Sequence, residues 1–110
     1  MVFKYEKFKF AGVDNVIVNQ DIFSDKMMLE DNYIWNITPV AVSPITGSPT
    51  YTVEVSNDGE NWLHYDTKYT GLAITSAPEV VGISFLYMRI SVISNGADGS
   101  VSFIMGRKTI

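Results

Sequence analysis

His64 is the only histidine in the chain, so it is the first residue to consider for acid–base or metal chemistry. In an extended strand it shares a side with Trp62 and Asp66. The chain holds no cysteine, and no Ser-Asp context accompanies the histidine. A lone histidine of this kind is typical of a surface or half-buried strand position. We therefore predict neither a catalytic residue nor a metal ligand here.

The twelve acidic residues could supply the two carboxyl groups of a glycosidase. Many of them fall at turns or strand ends, where solvated carboxylates are expected: Asp14, Asp21, Asp25, Asp58, Asp66 and Asp98. Glu54 differs because it lies inside a strand on its polar face, where a cross-strand cation such as Lys68 or Arg89 is the predicted partner. The sequence contains no phosphate-binding loop, nucleophile elbow or HExxH motif. It indicates a protein that is not an enzyme and needs no cofactor.

The stretch YTVEVSNDGENW predicts a β-hairpin whose turn begins after residue 56. Asn57 and Asp58 favour the start of a turn because their side chains bind the backbone just beyond. Gly59 offers the positive φ that a short hairpin loop needs. Trp62 restarts the ladder and is predicted to pin the register. We interpret these four residues, together with Arg89 on a later strand, as structural anchors.

Three other interpretations of the same loop are possible. Asn57, Asp58 and Glu60 could contribute to a calcium site, although calcium needs six to eight oxygens and the spacing does not define them. The loop also resembles a sialidase-type Asp-box, S-x-D-x-G-x-T-W, but it lacks one residue between Asp and Gly. Finally, Trp62 could contact a ligand directly. The hairpin accounts for every conspicuous residue without a ligand, so we prefer it.

Size and composition restrict the class of protein. A chain of 110 residues with 46% hydrophobic and 18% charged residues predicts one folded domain over residues 1–110. The net charge of −4 and the scattered basic residues argue against a nucleic-acid partner. The charged N-terminus does not look like a signal peptide, and the longest apolar stretch is interrupted by polar residues, so we expect no membrane span. We expect the protein to be made in the cytosol.

Alternation of apolar and polar residues dominates the chain and indicates β-strands. The predicted strands are 2–10, 13–19, 32–42, 50–56, 61–66, 72–75, 79–84, 86–94 and 100–107. Strand 50–56 reads as half-buried, with its odd positions apolar. Residues 24–31 could instead form one helical turn. The pattern predicts an all-β fold, an antiparallel sandwich of jelly-roll or immunoglobulin-like type with about seven to eight strands.

The first predicted strand changes its apolar side along its length. Phe3 and Tyr5 have one parity, and Phe8 and Phe10 have the other. Either a bulge near residues 6–7 switches the faces, or both faces are covered. A terminal strand covered on both faces could pack on a neighbouring subunit. We favour the bulge.

Aromatic residues raise the possibility of sugar stacking. The candidates are both tryptophans and the tyrosines Tyr5, Tyr33, Tyr51, Tyr65, Tyr69 and Tyr87. In a small sandwich such residues more often belong to the core or to an interface. Glycan binding is therefore the less favoured interpretation.

Three segments together resemble a known group of proteins. The hairpin YTVEVSNDGENW is followed by the strand LYMRISV and by the turn and strand GADGSVSF. This order resembles small virion structural proteins of tailed bacteriophages, over about the C-terminal half of the chain. The hairpin and the Y-x-R-I strand are also similar to discoidin-like carbohydrate-binding sandwiches.

The phage resemblance implies a capsid decoration or cement protein, or a head–neck accessory protein, located in the virion. Its partners would be other virion proteins, such as the major capsid or neck proteins, and it would form a homo-oligomer. Residues 1–12 would act as a partner-contacting strand or arm, because chain ends with alternating charges and aromatic rings suit strand addition. The predicted partner contacts are Phe3, Tyr5, Phe8, Phe10 and Arg107. The alternative is a carbohydrate-binding module.

Overall fold

A computed structural model describes residues 3–29, 33–81 and 85–109. For strand residues 3–4, 33–34, 80–81 and 107–109 it describes the backbone only. The strands in these ranges are β1 (Phe3–Lys7), β2 (Val16–Ile17), β3 (Ile22–Phe23), β4 (Met27–Met28), β5 (Tyr33–Ala41), β6 (Thr50–Ser56), β7 (Leu63–His64), β8 (Leu72–Ala73), β9 (Glu79–Val81), β10 (Tyr87–Ile93) and β11 (Ser100–Thr109). A 3₁₀ turn covers Thr67–Tyr69.

The strands form two antiparallel sheets that pack face to face. The first sheet has the order β1-β11-β5-β9, with β2 also paired to β11. The second has the order β3-β10-β6-β7, with β4 paired to β10 and β8 paired to β6. The predicted all-β sandwich is confirmed. The described residues form eleven strands rather than the predicted seven to eight, because five of the eleven are short strands of two residues each.

The core lies between the sheets and is built from alternate positions of the long strands. Tyr51 of β6 and Phe103 of β11 meet edge to face, with ring centroids 5.1 Å apart. Trp35 of β5 and Ile90 of β10 are also fully buried. Period-two alternation places such side chains on one face of each strand, and their removal from water stabilises the fold. No helix long and apolar enough to cross a membrane occurs in the described ranges.

Two expectations about the middle of the chain are wrong. The segment that could have formed a helical turn, as far as it is described, contains strand β4 instead. Strand β6 is buried at every position from Tyr51 to Ser56, so its polar face is covered as well. The strand has neighbours on both sides in the sheet. On its outer face, Arg89 and His64 lie against Glu54, and the Thr52 hydroxyl accepts the N–H of Gly71.

The first strand is regular, and the predicted bulge near residues 6–7 is absent from it. Five consecutive pairs join β1 to β11, from Phe3 opposite Lys108 to Lys7 opposite Ile104. The next residue, Phe8, continues the ladder by donating its N–H to the Phe103 carbonyl at 2.9 Å. The parity of the aromatic residues therefore reflects two real faces of one strand.

One face of this strand is buried in the core and the other is exposed to solvent. Phe8 and Phe10 point into the core, at 0% and 4% exposure, and the Phe10 ring lies 6.0 Å from that of Phe103. The prediction that these two residues contact a partner is wrong, because the register with β11 turns them inward. Tyr5 points outward and is 76% exposed. The side chains of Phe3 and Arg107, also predicted as partner contacts, lie outside the described residues.

Candidate functional site

The predicted hairpin between β6 and β7 is confirmed. Glu54 stands opposite His64 in the register, and Val55 stands opposite Leu63. Gly59 has a φ of +75°, as the turn requires. The Ser56 hydroxyl oxygen accepts from the N–H groups of Asp58 and Gly59, at 3.3 and 2.9 Å. Side-chain oxygens at the start of the loop thus satisfy backbone donors that the turn would otherwise leave unpaired.

The Asp58 carboxylate is the centre of this loop. Its Oδ1 accepts from the backbone N–H groups of Asn61 and Glu60, at 2.8 and 2.9 Å, and from the Ser56 hydroxyl at 3.0 Å. Its Oδ2 accepts from the Asn61 side-chain amide at 2.6 Å. These donors hold the pKa of Asp58 well below its usual range, with the Asn61 backbone N–H contributing most.

This geometry disfavours the calcium interpretation of the loop. The Asp58 oxygens that a cation would need already accept N–H and O–H donors. Asn57 uses its side-chain oxygen to accept from the Leu86 N–H at 3.3 Å. Among the residues that the structure describes, no group of three His, Asp or Glu side chains is arranged to hold a metal ion.

We expect Asp58→Asn to lower the free energy of unfolding at neutral pH and to lose this effect in acid. The pKa of Asp58 is lower in the folded protein than in the unfolded chain, where it is about 3.9. Its stabilising contribution is therefore present above about pH 4 and is lost as the pH falls through the lowered folded value. Urea unfolding at a series of pH values measures this. A difference between the two proteins that stayed constant into acid would contradict it, and Glu60→Gln serves as the exposed control.

The predicted cross-strand pair of Glu54 and Arg89 is present. The two residues stand opposite each other in the β6–β10 register, and Arg89 Nε lies 2.7 Å from Glu54 Oε1. The second oxygen of Glu54 lies 3.4 Å from His64 Nε2. Lys68, the other predicted partner, lies over the ring of Tyr69 instead. Glu54 is only 7% exposed, so this pair neutralises a carboxylate that is almost removed from water.

The guanidinium of Arg89 lies between two aromatic rings on the outer face of the second sheet. Its Cζ is 3.8 Å from the centroid of the Phe23 ring and 4.3 Å from that of the Trp62 ring. We call these three residues the arginine stack. Trp62 thus lies against Arg89, but the ladder restarts at Leu63 rather than at Trp62 as predicted. Each ring attracts the cation through its negative face.

Phe23 is the member of the stack that sequence reasoning missed. It belongs to the two-residue strand β3, where it stands opposite Ser91 of β10 and is 53% exposed. Neither the period-two pattern nor a turn signal marks that segment. The sequence contains no local signal for this contact, because Phe23 reaches Arg89 only through the pairing of distant strands.

Other aromatic residues on the outer face are used in different ways. Tyr87 of β10 lies under the ammonium group of Lys26, with Nζ 5.2 Å from the ring centroid. Tyr51 and Tyr69 are buried and donate their hydroxyl groups to the carbonyls of Ser76 and Glu79. These last two tyrosines are therefore parts of the core and are closed to a sugar.

A second candidate surface is the outer edge of β1. The strand ends the order of the first sheet, and no other described strand pairs with its outer side. Just beyond it, the Lys9 carbonyl accepts the N–H of Asp25 at 2.7 Å. A cleft of about 450 Å³ follows this edge, between Glu6–Lys7 and Asp25–Met28. A strand at the end of a sheet can be a template for a strand of another chain.

Comparisons of the chain with protein-family models, with curated proteins and with solved structures find no match.

Proposed function

We propose that this protein is a non-enzymatic structural component of a phage virion, a capsid decoration or head–neck accessory protein, that binds neighbouring subunits through β1. The observation that carries the proposal is the position of β1 at the end of the first sheet, with Tyr5 on its outward face. Tyr5 is 76% exposed although it lies in the middle of a regular strand. A large exposed ring on a strand at the end of a sheet suits strand addition from a partner.

The chemistry of the rest of the molecule is compatible with adhesion. The acids and the histidine that stand out in the sequence have structural partners: Glu54 binds Arg89, Asp58 closes the hairpin, and His64 approaches Glu54. Binding that uses one strand edge per subunit is weak for a single contact. It becomes strong when a homo-oligomer presents several copies at once, because later contacts form at high effective concentration.

The experiment begins with the particles themselves. Virions from a host that carries the gene are purified on a density gradient, and the protein is sought in them by mass spectrometry and immunogold labelling. We expect it on the particle surface or at the neck. Its absence from purified particles would overturn the proposal.

A point substitution then tests the role of β1. We expect Tyr5→Lys to weaken binding to particles that lack the protein by about tenfold or more, because it removes one aromatic anchor from the contact. The matched control is Leu63→Lys, which changes another outward residue that is 62% exposed, on β7 of the other sheet. Deleting residues 1–10 would be a poorer test, because it would also remove Phe8 and Phe10 from the core. Equal binding by Tyr5→Lys and the parent protein would rule out β1 as the contact.

The second candidate is a carbohydrate-binding module, and the half-exposed rings of the arginine stack favour it. An aromatic ring with an open face can pack against the C–H groups of a sugar. We expect glycan-array binding that Phe23→Ala abolishes and that Leu63→Ala leaves intact. Absence of any bound glycan would remove this candidate.

A further inference from the structure

The guanidinium of Arg89 has donors that the protein does not use. Nε binds Glu54, but neither Nη group has a hydrogen-bond partner among the described residues. In those residues, Ser94 Oγ is the only buried side-chain nitrogen or oxygen atom without a hydrogen-bond partner. Since the Nη groups also have no partner, they are not sealed from water. The side chain of Arg89 is 19% exposed. The outer end of the guanidinium is therefore a donor pair open to solvent.

The arginine stack determines how a ligand can approach this donor pair. Phe23 and Trp62 flank the guanidinium, with their ring centroids 3.8 and 4.3 Å from its central carbon. The two Nη groups remain to bind a ligand, and a planar group with two acceptors fits this pair of donors best. Carboxylates bind arginine in this bidentate manner. Because the rings and Glu54 already fix the side chain, little rotational freedom remains to be lost on binding.

Charge at the site favours an anion despite the presence of Glu54. That carboxylate is 7% exposed, and its two oxygens are directed to Arg89 Nε and His64 Nε2. The Glu54 carboxylate orients the guanidinium through Nε and leaves the two Nη groups available. Lys26, over Tyr87 on the same face, adds a second cation.

We propose that Arg89, held between Phe23 and Trp62, binds the carboxylate of an acidic sugar residue on the outer face of the second sheet. A sugar ring is the carrier that fits, because Phe23 is 53% exposed and its negative face can pack against ring C–H groups beside the carboxylate. This inference rests on the second candidate function, carbohydrate binding, and is independent of the virion role.

The test measures the binding of three small probes to the full chain by ¹⁵N NMR and calorimetry. Sodium glucuronate carries the carboxylate on a sugar ring, glucuronamide is its neutral match, and N-acetylglutamate carries two carboxylates without a sugar. We expect glucuronate to shift the Trp62 indole and Arg89 Nε–H resonances and to bind at least about tenfold more tightly than the other two probes. Equal binding of glucuronamide would overturn the role of the carboxylate, and equal binding of N-acetylglutamate would overturn the sugar assignment.

Two variants locate the site. Arg89→Lys keeps the charge but removes the planar donor pair, and Phe23→Ala removes one ring of the stack at an exposed position. We expect each to lower the affinity for glucuronate by about tenfold, while Leu63→Ala leaves it unchanged. If Arg89→Lys fails to fold, the comparison of the three probes on the parent protein still decides the question. Binding of neutral glycans that depends on Phe23, with no preference for glucuronate, would leave carbohydrate binding standing and remove this inference alone.

Discussion

Replacing Arg89 with methionine should lower the free energy of unfolding by about 3 kcal/mol. Methionine keeps much of the length that packs between Phe23 and Trp62, but it removes the donor 2.7 Å from Glu54. Glu54 is 7% exposed and would be left as a buried charge, with only His64 nearby. Urea unfolding followed by tryptophan fluorescence measures the change.

The double variant Glu54→Leu/Arg89→Met is the control that isolates the ion pair. Removing both charges abolishes the cost of an unpaired carboxylate, so we expect the double variant to recover most of the stability that Arg89→Met loses. Lys68→Met removes an exposed cation and should change the stability by less than about 0.5 kcal/mol. If the double variant were less stable than Arg89→Met, the pair would be contributing through packing rather than through charge.

We expect Gly99→Ala to lower the free energy of unfolding by more than about 3 kcal/mol, or to prevent folding. Gly99 has a φ of +115°, and a Cβ there would lie 2.6 Å from the Pro44 carbonyl oxygen and 2.8 Å from Ile45 Cδ1. The close approach brings the turn before β11 against the loop after β5. Both backbone strain and overlap with a fixed carbonyl therefore oppose the substitution.

Gly12→Ala separates these two causes. Gly12 also has a positive φ, of +81°, but a Cβ there meets nothing within 4 Å. Its substitution should cost only the backbone strain, about 1 kcal/mol. Thermal and urea unfolding of both variants measure the contrast. Equal losses at the two positions would show that the close approach of Pro44 to Gly99 does not matter for stability.

Local patterns were enough to predict the long strands and the hairpin. The alternation in β6 and β10 predicted their extended structure, and Asn57, Asp58 and Gly59 predicted the turn through chemistry contained in the loop itself. Parity also predicted that Glu54 would face a cation on a neighbouring strand. These features depend on residues close in sequence or on the two-residue alternation of side chains along a single strand.

Features that depend on the pairing of distant segments could not be predicted. The parity change between Tyr5 and Phe8 fits either a bulge or two faces, and only the register with β11 decides between them. Phe23 reaches Arg89 across 66 positions of sequence, through a strand of two residues. Part of the cover over β6 has the same origin, because Arg89 of the distant strand β10 lies against Glu54.

The position of β11 in the first sheet has a consequence for biosynthesis. This strand is the last of the eleven to be made, yet it pairs with β1, β2 and β5 at the same time. Until residues 100–109 leave the ribosome, the nascent chain has no scaffold on which these three strands can meet. We infer that β1, β2 and β5 join one sheet only after translation of β11.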